Sequence, residues 1–294
     1  MKKILIKFIS FFLIRSKIIF LLEKRILKYR SLKYENKSIF PFLNKYNHFI
    51  DYFIVSVVYF KNYYSKIKNP EKQRHISFKT LDENEGAKWA KHYFDKNSTG
   101  SFHRKERNLI YVKTEEMIKS NSLNNPNTLF INMGSSSGLD LVYFYKKFSK
   151  IKYLSTDVND EILNFQKQTY KNYSIDYLKG SADYIAKNLD FIASKHQVYK
   201  IILFCNGCLQ YEIPFFLQKG FMYLSNSNVK FYFCMTEFFE LNFSNSDSYH
   251  RKNILWIHNY PKYINDNNLK ITWKKVSKEN QIKNNSISII FTNN

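Results

Sequence analysis

The sequence predicts an α/β protein built on a seven-stranded, mostly parallel sheet with a C-terminal antiparallel hairpin, preceded by a helical N-terminal region. Three observations carry this expectation. From Asn127 onward short apolar runs alternate with longer amphipathic segments, the pattern of strands joined by crossover helices. The first apolar run opens into Gly134-Ser-Ser-Ser-Gly138 and then into a helix pattern. The alternation stops near Met235, and the tail gives two strand-like runs with no helix pattern between them.

Taken in order, the units are a strand over 129–132, the Gly/Ser loop and a helix over 139–148. A strand over 152–158, a helix over 159–172, a strand over 175–180 and a helix over 182–195 follow. Next come a strongly apolar strand over 199–205, a helix over 214–224 and a strand over 229–235. Strands over 269–276 and 286–292 form the hairpin, with Asn284-Asn285 in the connection. Short runs of Ile, Leu, Phe, Tyr and Val suit strands covered on both faces.

Upstream, the chain divides into a basic helical region over 1–74 and a polar, mixed segment over 75–126 that contains Trp89, His92, His103, Arg104, Arg107 and Tyr111. The first thirty residues carry nine Lys and Arg against Glu23 alone. Wound as a helix, they separate a basic side from one with Phe8, Phe12, Ile19 and Ile26, which suits either an anionic lipid surface or packing on the domain. No apolar run here reaches the ~20 residues a membrane span needs. A second helix, expected over 44–66, reads as buried.

The net charge of +22 comes from 39 Lys against seven Arg. Specific nucleic-acid recognition leans on Arg, so the charge supports only a preference for anionic surfaces. Three cysteines make no disulfide framework, and a reducing, cytoplasmic compartment fits. Cys205-x-x-Cys208 could be a redox pair or half of a zinc site, but no second pair accompanies it, and no metal is expected.

Strand, Gly-rich turn and helix N-terminus in succession, from Thr128 to Asp140, turn backbone N–H groups toward a ligand. Asp157 stands nineteen positions beyond Gly138, where an acid is placed to accept hydrogen bonds from a ribose. A dinucleotide fingerprint would need glycine at 139, which is Leu139. Small residues fall instead at Gly134, Ser136 and Gly138. This resembles motif I of the class I S-adenosylmethionine-dependent methyltransferases, acidic-x-Gly-x-Gly-x-Gly, with Asn132 at the acidic position and Ser136 at the middle glycine.

The resemblance covers about residues 127–294 and implies a Rossmann-like domain with S-adenosylmethionine as cofactor. Gly134, Ser135, Ser136 and Gly138 would lie under the methionine and ribose, and Asp157 would hold the ribose hydroxyls. Ser181 or Asp183 would reach the adenine, although Asp183 also suits the first turn of a helix. Asn206 would border the transferred methyl group. An oxygen acceptor needs its proton removed, and Glu212 and Glu237 at strand ends, or His103, His250 and His258 on flanking loops, are the candidates. By position, the 75–126 segment would cap the cofactor and shape the substrate pocket.

The run Leu209-Gln-Tyr211 is similar to one in methyltransferases of bacterial surface-polysaccharide clusters. The expected activity is methyl transfer to a hydroxyl of a sugar or lipid-linked envelope precursor, at the cytoplasmic face of the membrane. A nucleic-acid methyltransferase would want a proline-containing loop after the fourth strand, and Asn206-Gly-Cys-Leu has none. The competing expectation is a non-catalytic Rossmann-like scaffold module at the membrane surface.

Overall fold

The computed structural model describes residues 11, 53–82, 86–95, 105–240, 243, 247–252, 254–279 and 284–293. The basic amphipathic segment expected over 1–30 lies outside the described residues except for Phe11, as does His103. The chain forms two compact units, residues 1–85 with 250–256 and residues 86–249 with 257–294.

In the first unit Phe53–Tyr63 winds as a π-helix and Tyr64–Lys66 as a 3-10 turn, where the sequence predicts a buried helix. Val55, Val58, Tyr59 and Phe60 are its buried hydrophobic side chains. Helix α1 (Pro70–Asp82) starts on a proline, whose missing N–H has no partner to lose at a first helical position. Tyr64 and Ser77 share a buried hydroxyl–hydroxyl bond of 2.5 Å. Among the described residues no helix is long and apolar enough to cross a membrane.

The second unit carries α2 (Gly86–Asp95), α3 (Lys105–Ser120), β1 (Thr128–Met133), α4 (Leu139–Lys147), β2 (Lys152–Asp157) and α5 (Asp160–Thr169). It continues through β3 (Ile175–Lys179), α6 (Ala182–Lys187), α7 (Leu189–His196), β4 (Lys200–Asn206), α8 (Pro214–Ser225) and β5 (Lys230–Phe239). Two short strands, β6 (Ser248–Lys252) and β7 (Leu255–His258), pair separately, their residues 250–256 counting with the first unit; α9 (Tyr260–Asp266), β8 (Lys270–Glu279) and β9 (Asn284–Thr292) complete the second.

The seven-stranded sheet has the order β3-β2-β1-β4-β5-β9-β8. Strands β1 to β5 run parallel, while β9 is antiparallel to both β5 and β8, as the alternation and the terminal hairpin predict. Successive side chains of β1 and β4 enter opposite cores. Leu129, Ile131, Ile201 and Leu203 pack with Leu189, Ile192, Leu217 and Phe221 from α7 and α8. Phe130, Ile202 and Phe204 pack with Tyr111, Ile118 and Phe144 from α3 and α4. Strand order reverses between β1 and β4, so the crevice at their carboxyl ends is where such a sheet takes a ligand.

Three details differ from the sequence reading. The helix expected over 182–195 breaks at Asn188, which ends α6 and begins α7. Asn284 and Asn285 are not in the hairpin connection: they pair with Glu279 and Lys278 inside the ladder. The β6–β7 ribbon and α9 have no counterpart in the expected element list.

Candidate functional site

The loop between β1 and α4 enters the left-handed region three times, at Gly134 (φ 61°), Ser136 (φ 47°) and Gly138 (φ 76°). Two of these must be glycine. A Cβ on Gly134 would sit 2.4 Å from the Cβ of Cys208, and one on Gly138 would sit 2.6 Å from the Tyr170 ring. Ser136 is a side-chain-bearing residue in that region, which costs on the order of 1–2 kcal/mol. Its backbone bonds offset the strain: its N–H donates to Asp157 Oδ2 (3.1 Å) and its carbonyl accepts from Gln166 Nε2 (2.7 Å).

The loop is held from beneath by β2 and α5. Gln166 Nε2 also donates to Ser135 Oγ (2.8 Å), and Ser155 Oγ donates to Gln166 Oε1 (2.6 Å). Tyr170 donates to the Ser137 carbonyl (2.7 Å). Asn159 caps α5 by accepting from the N–H groups of Glu161 and Ile162. Asp157, at the carboxyl end of β2 and 6% exposed, accepts from Asn159 N–H through Oδ1 (3.1 Å) as well as from Ser136. The expected ribose acid therefore stands beside the loop and also fixes its shape.

Asn132, the penultimate residue of β1, and Asn206, the last of β4, lie on the face that carries Phe130 and Phe204. Asn132 is 1% exposed, and its Nδ2 has no hydrogen-bond partner. Asn206 Oδ1 is likewise buried without one. Each unmade buried bond costs roughly 1–3 kcal/mol, so these are groups that a polar ligand would satisfy. The other end of the Asn206 amide is fixed. Tyr111 of α3, stacked on Phe144 with centroids 5.7 Å apart, donates its hydroxyl proton to Asp140 and accepts from Asn206 Nδ2 (3.0 Å). The aromatic body fills the core while the hydroxyl orients the site.

On the opposite face lie the residues expected to move a proton. Glu237 of β5 is fully buried, and its Oε1 accepts from Leu209 N–H (2.8 Å) and from the Cys205 thiol (3.1 Å). It ties the turn after β4 to β5 rather than facing solvent. Glu212 follows the 3-10 turn Leu209–Tyr211, and its Oε1 accepts from Ala182 N–H (3.3 Å) at the start of α6. Ser181 precedes α6 and donates to Asp183 Oδ1 (2.5 Å), so Asp183 does occupy a first helical turn.

His258 corrects the sequence reading, which put it on a loop. It ends β7 fully buried, Nε2 lies 3.0 Å from the Glu212 carbonyl and Nδ1 lies 2.6 Å from Ser248 Oγ. A carbonyl only accepts, so Nε2 carries the proton and Nδ1 accepts from the serine. Burial pushes its pKa down to about 3, against the bonds to Glu212 and Leu209, which raise it. A neutral ring with both nitrogens engaged has no lone pair for a substrate proton. His250, the other described histidine candidate, stands in β6 and packs edge-on against Trp256.

Tyr111, Gln166 and Tyr170 shape the site without having been singled out for it. Gln166 left one signal in the sequence: it falls on the buried stripe of α5 with Ile162 and Leu163, where a polar side chain needs a reason.

No family model matches the chain, and no curated protein matches its sequence. Solved structures similar to it are found. It is similar to an S-adenosylmethionine-dependent methyltransferase of Leishmania major, with 8% identity, 77% of this chain and 85% of that one covered, and a TM-score of 0.49. It is similar to the 1,6-didemethyltoxoflavin-N1-methyltransferase of Burkholderia thailandensis, solved with 1,6-didemethyltoxoflavin and S-adenosylhomocysteine bound (9%, 77% and 91%, TM-score 0.48). A third is an S-adenosylmethionine-dependent methyltransferase of Clostridium acetobutylicum (12%, 70% and 98%, TM-score 0.45).

Proposed function

We propose that this chain binds S-adenosylmethionine at the carboxyl ends of β1, β2 and β4 and transfers its methyl group to a hydroxyl of a sugar or lipid-linked envelope precursor. The observation that carries the reading is the pair of unsatisfied amide atoms, Asn132 Nδ2 and Asn206 Oδ1, beside the loop of Gly134 and Gly138. The methionine end of the cofactor is a zwitterion. Asn132 Nδ2 suits its carboxylate and Asn206 Oδ1 its ammonium, while Asp157 suits the ribose hydroxyls and Ser181 or Asp183 the adenine. In this reading an amide at position 132 replaces the family's acid by using its donor end.

Methyl transfer is an in-line displacement. When bound, the sulfonium would supply an electrophilic methyl group, and the chain's own residues would align the acceptor hydroxyl with it and take up the hydroxyl proton. Most of the rate comes from positioning. Of the three proton acceptors, Glu212 at 5% exposure is the least enclosed, because Glu237 and His258 are both at 0% and spend their bonds on the fold. We therefore assign any base to Glu212.

Two outcomes test this. Asp157→Ala is expected to weaken S-adenosylhomocysteine binding by about 5- to 150-fold, the worth of about 1–3 kcal/mol for a lost polar contact. Calorimetry reads it, and an unchanged affinity counts against the assignment. The basic N-terminal segment motivates the envelope acceptor, since each Lys or Arg near an anionic surface contributes about 1 kcal/mol. The full chain should sediment with anionic vesicles at low salt, release at high salt and ignore neutral vesicles. Indifference to all three would leave a small soluble acceptor as the better reading.

A further inference from the structure

We infer that Cys205, Cys208 and Glu237 form a binding site for one thiophilic divalent cation of the zinc type. Sequence spacing hides this site, because only the pairing of β4 with β5 brings Glu237 to the two cysteines. The thiol and carboxylate donor atoms of all three lie within 4.8 Å of one another. A tetrahedral zinc ion with bonds of about 2.0–2.3 Å holds such donors roughly 3.5–3.8 Å apart, so the set, with Cys205 Sγ now 3.1 Å from Glu237 Oε1, needs shifts of under about 1.5 Å. The spacing Cys-x-x-Cys is that of one arm of a structural zinc site. Gly207, at φ 77°, makes the reversal that returns Cys208 to Cys205, and its N–H is anchored on the Thr236 carbonyl (2.9 Å).

The surroundings favour a cation. Glu237 and Cys205 are fully enclosed, and a buried carboxylate is costly unless it is paired or coordinates a metal. Two thiols and a carboxylate thus converge in one enclosed turn, a donor set that suits a single thiophilic divalent ion. Tyr260 adds an independent sign. Its hydroxyl is buried with no hydrogen-bond partner and feels Glu237, Cys205 and Cys208. Binding exchanges the two thiol protons, released to solvent, for the cation, and it pins the turn after β4 to β5 with Cys208 against Gly134.

The test uses the full chain, produced with zinc in the medium and purified under reducing conditions without chelator. About one zinc per chain is expected, with Cys234→Ser retaining it and Cys208→Ser losing most of it. The stripped wild-type chain, titrated with cobalt(II), should take up one equivalent and show a sulfur-to-cobalt charge-transfer band. That spectrum decides the matter even if Cys208→Ser fails to fold. Glu237→Gln should keep the band and weaken the affinity by about tenfold or more. Zinc well below one equivalent together with no cobalt–sulfur band overturns the site, as does cobalt bound without the band.

Discussion

Gly134→Ala should cost the second unit about 2–4 kcal/mol and abolish cofactor binding. The added Cβ must occupy a backbone angle of +61°, which disfavours any side chain by roughly 1 kcal/mol or more. It would also lie 2.4 Å from the Cβ of Cys208, an atom fixed to the backbone, and such overpacking costs about 1–3 kcal/mol. Relief would have to come from moving either the cofactor loop or the turn after β4, and both border the proposed site. Urea denaturation reads the first effect and calorimetry the second. Ser136→Gly is the contrasting case. Its φ of 47° already suits glycine, so the variant should hold its stability within about 1 kcal/mol and still bind. Equal effects from the two substitutions would mean that the loop takes another path.

Acid should destabilise the protein through His258 on a scale that few single residues reach. Its pKa is about 3 in the fold against 6.5 in the unfolded chain. Between those values the unfolded chain holds a proton that the folded ring rejects. Stability is therefore present in full above pH 6.5 and falls as the pH drops toward 3. At 1.36 kcal/mol per unit, lowering the pH from 7 to 5 should cost about 2 kcal/mol through this residue. His258→Gln keeps an N–H for the Glu212 carbonyl and does not titrate. The difference between the two proteins' stability-versus-pH slopes, from urea titrations at each pH, isolates the histidine. Identical slopes would show that the ring is not held neutral as described.

Much of the fold was legible because its strands are short apolar runs set off by turn residues. A strand covered on both faces, such as β1 or β4, has to be written that way. The β6–β7 ribbon was not legible, since Ser-Tyr-His-Arg-Lys carries neither an apolar run nor alternation. Asn284 and Asn285 are poor strand formers by themselves, and cross-strand pairing with β8 carries them into β9. Asn188 interrupts a helix that periodicity alone would continue, because asparagine favours helix ends.

The site divides in the same way. Gly134, Gly138 and Asp157 could be read from spacing, since a tight turn after a strand restricts which residues fit. Tyr111 and Gln166 reach the site from α3 and α5, and nothing local ties them to it. His258 illustrates a lone titratable residue: only its two bonds tell a satisfied core histidine from a catalytic one. The Cys205–Glu237 contact depends on sheet register, which sequence distance conceals.

The most direct measurement is calorimetric titration of the full chain with S-adenosylmethionine, S-adenosylhomocysteine and NAD in turn. A methyltransferase cofactor site predicts saturable one-to-one binding of the first two, no binding of NAD, and loss of affinity in Asp157→Ala. Binding of NAD alone, or no binding of either sulfur nucleoside, would contradict it.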